Sequence, residues 1–403
     1  AAPTTAAPTT AAPTTAAPTT TAAPITDVMT CDLACFSAGA TPVVLVGSVG
    51  AGAGASVNDV SIQECRQACA KTEGCEAVLY TNKTKGVPFK TMCYGKKDVH
   101  TSKCQPGGNY MTEIISGRPW GKCAVFGDPH ILPFDRVYGP TVTDTDPGEY
   151  WLIKSDKLSI QGRFGYTRRF PTASSAVGIA VSGPLIGGHS LVVEYVGPAR
   201  GAAGFKVFWD KQQILTGYPS TFQADGLTAS HDAMDPTHYH REGRHTIGGT
   251  DGLLPSYLFT FTADLRIYIL IGPDNCNMVM ELRKVAGTMD GFCGNFNCDP
   301  DDDITPALRA RGIGEAVANS ESVFSEAAPG VAAAEVKNVA PIDPASCNPA
   351  LLPQAKEKCA SLAEAERNAC VIDVCEAGST EVAALEVATG KLEQSVEEDV
   401  NSH

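Results

Sequence analysis

From Trp120 to residue 326, hydrophobic and polar positions alternate over short stretches that Gly, Pro or Asp separates. Each stretch is rich in β-branched and aromatic residues, which suit a strand with a buried face. Eight such stretches follow one another: EYWLIK, LSIQGRF, AVGIAVS, SLVVEYV, FKVFWD, YLFTFTA, LRIYILIG and MVMELRKV. Many short strands with frequent turn residues are typical of an antiparallel β-sandwich. We therefore predict a mainly β fold with its sandwich at 120–326.

The stretch DVSIQECRQACAKTEGCEAVLY (59–80) predicts a helix followed by a strand. Ser61 and Glu64 have the spacing of a capping box, and Cys65 and Cys69 lie one helical turn apart. Residues 31–117 contain seven of the 15 cysteines. We predict a small α+β module over 31–117 that disulfides hold together.

The C-terminal fifth of the chain has a different sequence pattern. After an Ala-rich connector at 327–346, residues 347–376 have helical periodicity and four cysteines. They predict a short helical module. Residues 377–403 contain six acids against one Lys and are interpreted as a solvated acidic tail.

The N-terminal segment, 1–30, opens with four copies of AAPTT. The repeats contain no large apolar residues that could form a core, and their prolines favour an extended path. Threonines beside proline are typical of O-glycosylated stalks, while a bare flexible linker is the alternative. The candidate O-glycosylation sites are Thr4, Thr5, Thr9, Thr10, Thr14, Thr15, Thr19 and Thr20. Asn82-Lys83-Thr84 is a candidate N-glycosylation sequon.

Composition narrows the class of protein. A net charge of −14 without a basic run argues against a nucleic-acid partner. Fifteen cysteines clustered by region, without paired CxxC motifs, favour disulfides in a secreted protein. The chain starts at a repeat, and we expect a leader to have been removed. The most apolar stretch, at 41–57, is too rich in Gly, Ala and Ser to predict membrane insertion.

The helix with its paired cysteines resembles the core of a PAN/apple domain. That resemblance implies disulfides from Cys69 to Cys75 and from Cys65 to Cys93. Cys104 would then pair with Cys31 or Cys35, and the other of these two is left over as the odd cysteine.

Two further motifs, CAVFGDPHILPFD (123–135) and GFCGNFNCDPDDD (291–303), flank the predicted sandwich. Together they resemble the opening and closing segments of the von Willebrand factor type D domain, with NSESVF (319–324) similar to a later strand of that family. The resemblance implies a type D-like sandwich at 120–326 and a disulfide from Cys123 to Cys293. The cysteines at 347–376 are similar to a reduced eight-cysteine module, with Cys347, Cys359, Cys370 and Cys375 as disulfide partners.

The sequence departs from the type D pattern at three positions. Arg136 stands where the first motif usually ends in Gly, and Cys298 stands where Gly follows GNFN. Cys276 is an extra cysteine in the preceding strand. We predict that Cys276 and Cys298 form an added disulfide.

The acidic segment after Cys293 predicts a calcium site. Six oxygen-bearing side chains within nine residues suit Ca²⁺, which binds six to eight hard oxygens in a flexible loop. A solvated acidic turn is the alternative, although repulsion among neighbouring carboxylates would then be uncompensated. The type D resemblance brings the aspartate of the first motif close to this loop. The predicted ligands are Asp128, Asn297, Asp299, Asp302 and Asp303, with Asn295 as an additional donor.

Two other segments contain groups that could take part in bond cleavage or metal binding. In some type D proteins the Asp-Pro bond of the first motif is cleaved, so Asp128-Pro129 is a candidate scissile bond, with an intact turn as the favoured alternative. His231, His238, His240 and His245 could supply imidazole ligands for zinc. Polar loops rich in His and Asp are more often plain surface, and we favour that interpretation.

These features predict a secreted, glycosylated, non-enzymatic structural protein that assembles with copies of itself into a filament, matrix or cell-surface appendage. One alternative is a monomeric adhesin or lectin that binds carbohydrate or protein through the PAN-like module. The other is a secreted enzyme that uses the histidine cluster and a metal.

Overall fold

The structure is a computed structural model of the chain. It describes residues 28–37, 39–50, 52–81, 92–127, 129–135, 141–142, 147–168, 170, 173–197, 201–234, 254–261, 264–303, 316–324, 347–362, 364–380 and 382–398.

The N-terminal module, residues 28–116, is a six-stranded sheet crossed by one helix. The strands of the sheet run in the order β1-β8-β5-β6-β3, with β4 also paired to β6, and β2 and β7 form a separate ribbon. Their bounds are β1 Met29–Cys31, β2 Leu33–Ala34, β3 Thr41–Val43, β4 Val57–Asn58, β5 Ala77–Thr81, β6 Met92–Lys97, β7 Gln105–Pro106 and β8 Tyr110–Ile114. Helix α1 (Ile62–Ala70) begins at the predicted capping box, in which Ser61 and Glu64 each accept a hydrogen bond from the other's backbone N–H.

Two antiparallel sheets follow and confirm the predicted mainly β fold. One has eight strands in the order β11-β10-β9-β22-β21-β20-β19-β18, and the other has six in sequence order from β12 to β17. The bounds are β9 Trp120–Phe126, β10 His130–Leu132, β11 Thr141–Val142, β12 Gly148–Lys154, β13 Ser159–Tyr166, β14 Ser174–Ser182, β15 Ser190–Tyr195, β16 Phe205–Trp209, β17 Gln212–Ile214, β18 Ser220–Ala224, β19 Leu227–Met234, β20 Leu254–Phe261, β21 Leu265–Ile271 and β22 Cys276–Arg283.

The inner faces of these two sheets form the main core. Strands of the six-stranded sheet contribute Ile160 and Val193, and strands of the eight-stranded sheet contribute Phe259, Ile267 and Met280. The alternation read from the sequence therefore places one set of side chains between the sheets. This burial of apolar surface is the main stabilising contribution to the sandwich.

The centre of each outer face is also covered. Helices α3 (Leu352–Lys358), α4 (Glu364–Ala377) and α5 (Val382–Glu398) form a helical module, residues 347–398, whose Ala369, Leu385 and Ala388 pack on the eight-stranded sheet. Residues 316–324, which we call the outer strap, lie on the six-stranded sheet. Phe324 of the strap packs against Ala180 and Val192 and lies under the guanidinium of Arg163.

The interpretation of 377–403 as a solvated tail is wrong for the part that forms α5. Leu385, Glu386 and Thr389 of this helix are buried against the sandwich. Asn277 of β22 donates a hydrogen bond to Thr389 Oγ1 at 2.8 Å and one to Glu386 Oε1 at 3.3 Å. The acidic composition concealed one apolar stripe of an amphipathic helix.

Seven disulfides join the described residues. Cys65–Cys93, Cys69–Cys75 and Cys123–Cys293 are the pairs that the family resemblances implied. Cys104 pairs with Cys35, one of its two predicted partners. The four C-terminal cysteines pair as Cys347–Cys375 and Cys359–Cys370.

The predicted Cys276–Cys298 disulfide is wrong. Cys298 pairs with Cys31, across 267 residues of sequence, and the free cysteine is Cys276, not Cys31 or Cys35. Cys276 lies in β22, fully buried, where its thiol faces the backbone carbonyl of Ala176 at 3.7 Å. Its side chain belongs to the core between the sheets, so it cannot reach the loop that contains Cys298.

Candidate metal centre

The acidic loop, residues 294–303, is held at one end of the sandwich by a disulfide and an aromatic stack. Cys293, just before the loop, is bonded to Cys123 of β9. Phe296 stacks on Phe134 with ring centroids 4.8 Å apart. The loop ends in a single helical turn, α2 (Pro300–Asp303). These contacts bring the two motif segments together, as their resemblance to one domain predicts.

Gly294 allows the loop to fold back on itself. Its φ of +83° lies in the left-handed region, and a Cβ at this position would overlap Oδ1 of Asp303. Only glycine combines that backbone conformation with that close approach. The backbone N–H of Asn295 then donates to the same Asp303 oxygen at 3.1 Å.

Asp302 occupies the exposed side of the loop and is satisfied within it. Its Oδ2 accepts hydrogen bonds from the side-chain amides of Asn295 at 3.1 Å and Asn297 at 2.8 Å. The Oδ1 of Asn297 accepts from the backbone N–H of Asp299 at 2.6 Å. Two of the predicted ligands, Asn297 and Asp302, are therefore hydrogen-bonded to each other.

We use the name oxygen cluster for three buried oxygens of the acidic loop and the adjoining first motif, one each from Asp135, Asn295 and Asp303. Asp135 and Asp303 are only 5% and 7% exposed. The second oxygen of Asp135 accepts from the backbone N–H of Asn297 at 2.7 Å. Asp135 Oδ1, Asn295 Oδ1 and Asp303 Oδ2 accept no hydrogen bond from the described residues. Leaving buried acceptors without a partner is costly, which points to a ligand for them.

Electrostatics agree with that interpretation. Burial, together with the charges of Asp135, Asp302 and Asp299, raises the pKa of Asp303 to about 7. Burial also raises the pKa of Asp135 to about 6, against the opposing effect of backbone hydrogen bonds and of Lys284. Lys284 partly compensates the charge of Asp135, whereas the charges that shift the pKa of Asp303 are those of other aspartates.

The donors of the oxygen cluster suit a hard divalent cation. Ca²⁺ prefers carboxylate and amide oxygens, which are the atoms left without partners here. Within the described residues, no group of three or more His, Cys, Asp and Glu side chains has the arrangement of a metal site. The cluster has two such carboxylates, and its third oxygen comes from an amide.

The predicted ligand set is thus only partly brought together. Asn295 and Asp303 contribute to the oxygen cluster, and Asp299 lies exposed near it. Asp128 lies outside the described residues. Asp135 was not predicted, although it ends the first motif and directly follows Phe134, which the structure stacks on the loop. The adjacent Phe134 and Asp135 were the feature of the sequence that could have identified Asp135 as a candidate ligand.

The first motif also meets the helical module. His130 and Asp373 of α4 are fully buried, and His130 Nε2 lies 2.9 Å from Asp373 Oδ1. A Cβ on Gly127 would overlap the carboxylate of Asp373, so the turn requires glycine there. Pro129 is buried beside them. These contacts describe a packed turn, and cleavage at Asp128-Pro129 stays a prediction.

Most of the other predicted site residues lie outside the described residues: Asn82, the eight threonines of the repeats, and His238, His240 and His245. His231 is buried in β19, and its Nδ1 lies 2.9 Å from the carbonyl oxygen of Gly217. Burial lowers its pKa. One nitrogen of this imidazole is thus already engaged by the backbone.

Comparison with known families matches residues 43–116 to the PAN domain. The match lies inside the predicted module at 31–117 and covers α1 with the strands around it. No curated protein matches the chain.

Seven disulfides and a PAN domain fit an extracellular protein. None of the described helices is both long and apolar enough to span a bilayer.

Proposed function

We propose that this protein is a secreted, non-enzymatic structural protein that assembles with copies of itself into an extracellular filament, matrix or surface appendage. The sandwich would be a von Willebrand type D-like assembly unit that calcium stabilises. The observation that carries the calcium proposal is the oxygen cluster, whose three buried oxygens accept no hydrogen bond from any residue that the structure describes. The disulfides support a rigid protomer, because they connect the N-terminal module to the acidic loop and cross-link the helical module internally.

Calcium would act here as a structural ion. Asp135 and Asp303 would neutralise its charge, and Asn295 would add a neutral oxygen. The ion would join the two motif segments at the end of the sandwich. Because both carboxyl groups must lose their protons, calcium affinity should fall as the pH falls from about 7 to 5, with protons released on binding.

Calorimetry on chelator-treated protein tests the calcium proposal. We expect Ca²⁺ uptake that raises the melting temperature, and we expect Asp303→Asn to remove both effects. Asp156→Asn, at an exposed carboxylate elsewhere, is the matched control and should behave as wild type. Uptake that survives both Asp303→Asn and Asp135→Asn would show that the ion binds elsewhere.

Self-assembly needs its own experiment. We expect negative-stain microscopy and sedimentation of the native protein to show polymers whose length depends on calcium. A protein that stays monomeric with and without calcium would contradict the assembly proposal, even if the calcium site were real.

A second candidate function is an adhesin or lectin that binds through the N-terminal module. Phe36 is 39% exposed and lies edge-on to Tyr110, with ring centroids 5.1 Å apart. Exposed aromatic rings favour contacts with sugars or protein surfaces. A glycan array with the full chain, compared with Phe36→Ala, distinguishes this function, because a pure scaffold should give no signal in either case.

A further inference from the structure

The disulfide between Cys31 and Cys298 is placed unusually in the chain. Cys31 ends β1, the first described strand, and Cys298 lies inside the acidic loop between Asn297 and Asp299. The bridge spans 267 residues of sequence. It therefore joins the start of the N-terminal module directly to the acidic loop.

The backbone is strained at Cys298, where the bridge attaches to the acidic loop. Its φ is +72°, in the left-handed region that side chains other than glycine rarely adopt. The type D pattern has Gly at this position. A cysteine here has an unfavourable backbone conformation, which the cross-link offsets.

Several contacts hold the bridge in place. Met29 and Cys298 pack against the same apolar cluster as Cys31. Lys284 donates to Met29 Sδ at 3.2 Å and also to the carbonyl oxygen of Phe296. Asp135 fixes the preceding backbone by accepting from the N–H of Asn297. The bridge is thus embedded in the same contacts that form the oxygen cluster.

Without the bridge, the N-terminus would be weakly held. Within the described part of the chain, β1 is an edge strand of three residues whose pairing partner is β8. Tension on the preceding segment would pull β1 away from β8 and then act on Cys35. The PAN-like module would then bear the force. With the bridge, the covalent path runs from Cys31 to Cys298 and leaves residues 32–297 outside it.

We propose that the Cys31–Cys298 disulfide carries tension from the N-terminal segment past the PAN-like module and into the acidic loop. The PAN-like module would then keep its fold while the chain is under load. The tension would come from a neighbouring subunit or attached matrix, and this part of the inference rests on the proposed assembly. The load path itself depends only on one molecule.

Single-molecule force spectroscopy on the full chain, held at its two ends, tests this path. In Cys31→Ser/Cys298→Ser the path must instead pass through Cys35–Cys104 and Cys123–Cys293. The Cys31–Cys298 bridge keeps 267 residues out of the stretched path, and the other two bridges still keep 69 and 170 of these out of it. The stretched path of the variant is therefore longer than that of the wild type by about 28 residues, or about 10 nm at full extension. We also expect an early rupture at low force, because β1 is no longer anchored.

The matched control is Cys65→Ser/Cys93→Ser, which removes a bridge from the bypassed region. It should change neither the extended length nor the first rupture. An equal extended length in wild type and Cys31→Ser/Cys298→Ser would overturn the proposal. The length is read on the extended chain, so a less stable variant still gives an answer. Failure to polymerise would leave this measurement unaffected.

Discussion

Glu281 of β22 is a buried carboxylate between the sandwich and the N-terminal module. His100 of that module reaches it, with Nε2 3.5 Å from Glu281 Oε1, and Tyr268 donates a hydrogen bond at 2.9 Å. Burial opposes ionisation of Glu281, but His100 and Arg266 outweigh it and lower its pKa to about 2. Burial lowers the pKa of His100 itself.

These shifts predict how stability depends on pH. Because the folded-state pKa of Glu281 lies below the ordinary value of 4.5, its contribution is present above about pH 4.5 and is lost as the pH falls toward 2. Glu281→Gln should lower the free energy of unfolding by about 3 kcal/mol at neutral pH, since it leaves a buried pair incomplete. Urea unfolding from pH 7 to 3 should show the difference from wild type shrinking.

Asp264→Asn is the control for Glu281. Its ion pair with Arg118 is partly exposed, so the change should stay below about 1 kcal/mol. A pH-independent loss in Glu281→Gln would mean that packing, and not charge, explains the effect.

Single residues also show where sequence reasoning stopped. Cys298 was predicted to form a disulfide, but its partner lies in a different module. Sequence spacing carries no information on a contact across 267 residues. Asp135 was missed for a related reason, because its role depends on how two distant motifs meet.

At the scale of elements, the tight loop around Gly294 allows a clean comparison of two glycines. Gly294→Ala combines a left-handed φ with overlap on Asp303, whereas Gly108 has a φ of +56° and open space around it. Gly108→Ala should therefore cost about 1 kcal/mol and Gly294→Ala about 1–3 kcal/mol more. Chemical denaturation of both variants measures the difference. Equal losses would show that the loop has room for a side chain.

Helix α1 begins at a capping box that the sequence predicted. Ser61→Ala should lower the free energy of unfolding by about 1 kcal/mol, because the N–H of Glu64 loses its acceptor. Gln63→Ala, at an exposed position of the same helix, should leave stability nearly unchanged. If the two variants lose equal stability, the cap contributes nothing.

Local patterns predicted the elements well where one periodicity dominates. The alternating stretches became strands, and the spacing of Ser61, Cys65 and Cys69 gave a capped helix. The pattern failed at α5, where acidic residues outnumber the buried stripe. Which sheet each strand joins, and which face each helix covers, depends on tertiary contacts that short-range patterns do not contain.

At the scale of the whole molecule, the disulfide arrangement predicts one thiol per chain. Cys276 is buried, and burial raises the pKa of its thiol to about 12, which makes it unreactive in the folded state. Alkylation without reductant should therefore label no cysteine in native protein and Cys276 alone after denaturation. Peptide mass spectrometry locates the label. A labelled Cys31 or Cys298 would contradict the disulfide between the modules.

The coverings of the sandwich restrict how protomers could join. The helical module lies on one outer face and the outer strap on the other. Two protomers therefore cannot stack sheet on sheet without first displacing one of these covers. Among the described residues, strand edges such as β17 and β18 and the N-terminal module are the other surfaces through which copies could meet. If the proposed assembly occurs, such contacts would join neighbours end to end or side by side, as in a fibre or network and unlike a layered stack.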